Sequence, residues 1–233
     1  MQAGLASVLR GALLTGLYFA GAVIAVLYLR TPADVTLFWP AAGIGYATVL
    51  RFGLKQAPTI AIAQLLLHVF IVPVPPAFLV FSVASNFVAT MVACAYVQHR
   101  RKRLQFRIND GLLMLRGGIL LGVISAGIGT LGMLQGGMAP PDELPRVFLQ
   151  WFLGDVLGIT AVTPSLLFLF NVNRRSAAHA MPTEGGRRER VMWALLMLLA
   201  MLAAFYIGRE GSMYPLALAS LPLALLLWSA ARY

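Results

Sequence analysis

Few side chains in this sequence combine reactivity with an unusual setting. Asp155 stands alone in a long apolar run, Gln64 and His68 stand four apart in another, and Asn86 sits in a third. Residues four apart share one helix face, so Gln64 and His68 can act together on a ligand or a proton. The patterns that enzymes need are missing: there is no HExxH zinc box, no GxSxG nucleophile turn, no Walker loop and no Ser-His-Asp set in a recognisable context. His68, His99 and His179 fall on separate segments, and Cys94 is the single cysteine. A thiolate metal cluster or a disulfide needs two sulfurs. The sequence therefore points to a non-enzyme, with no catalytic residue, metal or cofactor expected.

What surrounds those residues follows from composition. Of 233 residues, 60% are apolar and 11% charged, whereas a soluble domain carries about a quarter charged. A water-exposed surface cannot be assembled from this list, so the chain is read as a membrane protein. A spanning helix needs roughly 20 apolar residues, and segments 11–29, 35–52, 57–72, 77–98, 111–134, 146–170, 191–208 and 214–230 qualify as candidates. The expected fold is an all-α polytopic bundle of about eight transmembrane helices, a single domain over residues 1–233. The first segment exceeds the apolar core of a signal peptide and lacks a convincing cleavage site, so it is read as retained.

Orientation follows from the basic residues, because short cytoplasmic loops collect Lys and Arg. One set of helix ends holds Arg10, Arg51, Lys55, the run from Arg100 to Arg103, Arg107, Arg174, Arg175, Arg187, Arg188, Arg190 and Arg232. The opposite ends hold Arg30, Arg146 and Arg209 beside Asp34, Asp142, Glu143 and Glu210. Both termini are expected in the cytoplasm, with the chain multi-pass in the membrane. The basic run 99–107 is explained by the positive-inside rule and contact with anionic lipid, so nucleic acid is not an expected partner.

Counting 1.5 Å per residue from the outer helix ends places Gln64 about 12 Å deep, Asn86 and Asp155 about 14 Å, and His68 about 6 Å. A carboxylate in hydrocarbon costs at least a few kcal/mol, so such groups face a bundle interior or a wet cavity and find partners. They form either an interhelical hydrogen-bond clamp or a ligand or proton site. Asp155 is expected to be the pivot, with Asn86, Gln64 or the helix start at Trp39-Pro40 as its nearest polar partner. Proline suits the first helical turn, so the second helix either begins at Pro40 and ends near Phe52, starting inside the membrane, or tilts as a full span anchored by Trp39. Small residues four apart, such as Gly118, Gly122 and Ala126, or Gly154 and Gly158, let helix backbones approach closely.

Several of these residues form a pattern. Trp39-Pro40-x-x-Gly43, Ser125-Ala126-x-x-Gly129-Thr130, Trp151-x-x-Gly154-Asp155-x-x-Gly158 with Pro164, and Leu221-Pro222-Leu223 followed by Trp228-Ser229-Ala230-Ala231-Arg232 resemble, in order, the bacterial MASE-one (membrane-associated sensor) domain family. Ala57-Pro58 stands where that family often has Trp-Pro. The resemblance implies an inner-membrane input domain, commonly fused to a cytoplasmic histidine kinase or cyclic-di-GMP enzyme, which would attach after Tyr233. The expected partners are the lipid bilayer, an unknown small-molecule ligand or membrane protein, a cytoplasmic signalling output domain and a second copy of the chain. A sensory input module is the leading function. A small-solute or proton transporter is the alternative, because midplane polar groups and a broken helix serve it equally well. Pro164 and the Trp39-Pro40 start are the expected hinges, since proline removes a backbone hydrogen bond.

Overall fold

The computed structural model of the chain describes residues 2–29, 36, 38–100, 108–170 and 195. They form six α-helices: α1 (Gln2–Tyr28), α2 (Pro40–Phe52), α3 (Pro58–Phe70), α4 (Pro76–Arg100), α5 (Ile108–Gln135) and α6 (Leu144–Leu169). Single 3-10 turns at Leu54–Gln56 and Pro141–Glu143 precede α3 and α6. The chain divides into one compact unit of residues 1–30 with 35–172, which holds all six helices, and a second of residues 31–34 with 173–233. The expected helices at 191–208 and 214–230, the linker between 171 and 190, the basic loop 101–107 and the closing motif at 221–232 lie outside the described residues, Leu195 apart.

Four of these helices contain a stretch long and apolar enough to cross a membrane: Ser7–Tyr28, Pro76–Arg100, Gly111–Gln135 and Pro141–Leu167. The second segment, for which a short and a full-length form were both open, and the third, expected as a full span, are short. At 13 residues each, α2 and α3 reach about 20 Å, against the roughly 30 Å of a hydrocarbon core. Both limits of α2 are local. Pro40 occupies the first turn, where its missing N–H costs nothing. Gly53 ends the helix at φ 93°, a conformation that a side chain would strain. Pro58 opens α3 in the same way, with Ala57 fully buried before it. By contrast α1 starts at Gln2, upstream of its apolar run, because no proline lies between Gln2 and Arg10 and the single Gly4 costs only about 1 kcal/mol.

Each helix finds neighbours through small residues. α4 packs on α5, α5 on α6, α6 on α2, α2 on α1 and α4, and α3 on α1 and α4. The short α2 is the innermost element: every residue from Ala41 to Val49 is buried. Its glycines let neighbours in, since Gly45 meets the Ile60 and Tyr18 side chains and the Ile44 side chain reaches over Gly21 of α1. Polar side chains then close backbone groups across helices. The Tyr46 hydroxyl donates to the Met114 carbonyl at 3.1 Å, and Gln98 Nε2 donates to the Val49 carbonyl at 3.4 Å.

Candidate functional site

The start of α2 is locked to the middle of α6 by backbone. Trp39 N–H donates to the Gly154 carbonyl at 3.0 Å, and the Trp39 carbonyl lies where a Cβ on Gly158 would sit. One turn on, Gly43 faces the Gly158 carbonyl, with the Val162 Cβ 2.8 Å from where its own Cβ would be. Thr163 Oγ1 donates to the Gly43 carbonyl at 3.1 Å, which closes the seam. Trp39 and Gly43 are four apart, as are Gly154 and Gly158, so each pair presents one face of its helix. That spacing is what two crossing backbones in contact require. Of the two forms left open for the second helix, the structure takes the short one, with its N-terminus against α6 between Gly154 and Gly158.

Asp155 sits inside this seam. It is 4% exposed, and Oδ2 has no hydrogen-bond partner among the described residues. Ser125 of α5 lies beside the carboxyl, short of hydrogen-bond geometry. Tyr18 of α1 lies near Asp155, and its hydroxyl lies beside the Trp39 side chain. The Tyr18 and Ser125 hydroxyls are themselves buried without partners among the described residues. Four helices thus bring an acid, two hydroxyls and a helix start together. Buried polar groups are nearly always paired, so three unpaired oxygens in one place are a departure from that rule.

A second polar group lies between α3 and α4. The His68 Nδ1 faces the Val72 carbonyl at 3.1 Å, so it carries the hydrogen and leaves Nε2 as an acceptor. Ser82 then donates to Nε2 at 2.7 Å, while Gln64 Nε2 donates to the Ser82 hydroxyl at 3.1 Å. Gln64 Oε1 is left without a partner among the described residues. Asn86 is buried one turn further along α4 and reaches Ser85 Oγ at 3.5 Å. Neither Gln64 nor Asn86 hydrogen-bonds Asp155; the Trp39-Pro40 start meets the α6 backbone at Gly154 and Gly158, on either side of it in sequence. Aromatic rings join the two groups: His68 meets Phe78 edge-on at 6.1 Å, Phe78 meets Trp151 at 6.2 Å, and Trp151 lies over Gly129.

Pro164 lies within α6 and does not end it. Its ring removes the bond that would run to Thr160, whose own hydroxyl turns back to the Val156 carbonyl at 2.8 Å. The neighbouring Thr163 makes the cross-helix bond to Gly43. Sequence reasoning missed Tyr18, Ser82 and Thr163, because isolated hydroxyls in apolar helices carry no spacing signal. Among the described residues there is no group of three or more His, Cys, Asp or Glu that could hold a metal, and Cys94 is buried. The family model for MASE1 matches residues 10–233. Neither curated proteins nor solved structures give a match.

Proposed function

Because the chain belongs to the MASE1 family of membrane-associated sensor domains, a sensory input family and not a catalytic one, we propose that it is the multi-pass input module of a bacterial inner-membrane signalling protein. A small ligand or a membrane protein partner engages the polar level around Asp155, and the change passes along α6 to a cytoplasmic output such as a histidine kinase or cyclic-di-GMP enzyme. The observation that carries this reading is the seam itself. Asp155 lies between the two glycines that hold the α2 start, so whatever binds the carboxyl also bears on the helix crossing. A ligand shifts an equilibrium only through unequal affinity for two states, and the unpaired oxygens of Asp155, Tyr18 and Ser125 give a ligand something to favour. Pro164 lies about two and a half turns further along α6 and provides the bend through which the inner half can respond.

Spin labels at Leu169 and Arg100, at the matching ends of α6 and α4, test this relay. In a preparation shown to respond, the distance distribution changes on stimulation, and an unchanged distribution rejects the mechanism. Topology is tested separately: a cysteine in place of Arg101 is expected to resist labelling from the periplasm, and labelling there reverses the assignment of the termini. The helix start inside the bundle equally supports the transporter reading. Solute or proton flux in proteoliposomes, dependent on Asp155, would favour it over the sensor.

A further inference from the structure

At the far end of α2 a different cluster forms. The guanidinium carbons of Arg10 and Arg51 lie 5.3 and 5.1 Å from the centroid of one ring, that of Phe52. Phe52 packs on Phe170 with centroids 5.2 Å apart. Arg51 Nε donates to the Phe170 carbonyl at 3.3 Å. Phe170 closes the last turn of α6 through its N–H to the Leu166 carbonyl at 2.7 Å, so its own carbonyl is one of the acceptors a helix end leaves free. Among the described residues, the contacts of these guanidiniums are a ring and a carbonyl, not a carboxylate.

Two like charges brought to one ring repel unless an anion lies between or beside them. A guanidinium has five donors in a planar fork, and Arg51 spends one of them on Phe170, leaving donors on both arginines for phosphate oxygens. The level is near that of lipid headgroups, because Phe170 lies three residues past the end of the apolar stretch of α6 at Leu167 and Arg10 lies within one turn of the start of that of α1 at Ser7. Leu9 and Leu13, which flank Arg10 on α1, are exposed, as a surface covered by acyl chains would be. A free phosphate would use the guanidiniums and leave those leucines uncovered. We propose that Arg10, Arg51 and Phe52 seat the phosphate of an anionic phospholipid at the end of α6, the lipid clamping that helix where it leaves the bundle. This does not depend on what binds near Asp155.

The full chain in nanodiscs of phosphatidylcholine, with and without phosphatidylglycerol, tests it by native mass spectrometry of retained lipid and by thermal unfolding. Phosphatidylglycerol is expected to be retained and to raise the melting temperature. Arg10→Gln and Arg51→Gln should each cut retention about fivefold, the ratio that one arginine at a charged headgroup surface supplies. Arg146→Gln is the control, because Arg146 is exposed at the opposite end of α6; it should leave retention unchanged. Arg10→Gln disturbs no backbone bond, so it keeps the test valid if Arg51→Gln fails to fold. Equal loss in the Arg146 variant, or no loss in either of the others, overturns the site. Stabilisation by inorganic phosphate in pure phosphatidylcholine overturns the lipid assignment.

Discussion

The α2–α6 crossing and the α3–α4 pair solve the same problem by opposite means. At the first, glycine brings backbone against backbone: Trp39 meets Gly154 and Gly158, and Gly43 meets Gly158. At the second, side chains do the joining, with Ser82 between Gln64 and His68. Lipid tails are as apolar as leucine, so neither contact gains from hiding apolar surface; both rely on close packing and hydrogen bonds. A backbone crossing admits one geometry. A side-chain network can exchange donors and acceptors while its helices stay in place. The rigid region has three unpaired oxygens beside it against one, Gln64 Oε1, at the other, so a ligand there would act on something that cannot absorb the change locally.

Gly158→Val tests the rigid half most severely. Its side chain would occupy the place of the Trp39 carbonyl, and overpacking of this kind should cost about 3 kcal/mol or more, seen as lost thermal stability in detergent. A variant that melts like the wild type would mean the crossing is looser than described. Next in size is a loss of response and not of fold: Asp155→Asn keeps shape and some hydrogen bonding while removing the charge. It should melt within about 1 kcal/mol of wild type and fail to signal. Normal signalling from this variant would reduce Asp155 to an incidental polar residue.

Ser82→Ala addresses the adaptable half. It strips His68 Nε2 and the Gln64 amide of their common partner, and interhelical bonds of this type contribute about 0.6 to 1.7 kcal/mol in membranes. The expected loss falls in that range, with signalling retained; a collapse of the fold would make α3–α4 the more rigid pair and reverse the comparison. Smallest in stability is Pro164→Ala, which restores a backbone donor. Melting temperature should hold or rise slightly while stimulus and output become uncoupled, and a fully coupled variant would remove Pro164 from the relay.

How much of this could be read in advance depended on whether a feature was local. Pro40 and Gly53 mark the limits of α2 by their own backbone chemistry, so a helix from Pro40 to Phe52 was among the readings of the sequence. That Asp155 is buried followed from its apolar neighbours. Which groups stand beside it did not, because Tyr18 and Ser125 reach it from other helices, and nothing in a run of apolar residues marks one hydroxyl as inward. Gln64 and His68 were paired correctly by spacing alone, while their link through Ser82 depended on how α3 meets α4. The length of α3 was overestimated because hydrophobicity continues past Phe70 after the helix has ended.

The place of α2 also bears on how the protein is made. Thr163 and Gly43 are 120 residues apart in sequence, so at about 5 to 20 residues per second α2 leaves the ribosome many seconds before the helix it will cross. Until then its glycines have no backbone to meet, and its 13 residues are too few to span the bilayer alone. The short α2 and α3 must therefore wait, as a hairpin at the membrane surface or within the insertion machinery, until α6 has been synthesised. Final assembly of the core is then a late, post-insertion event, and truncation before residue 154 should leave α2 exposed to quality-control proteolysis.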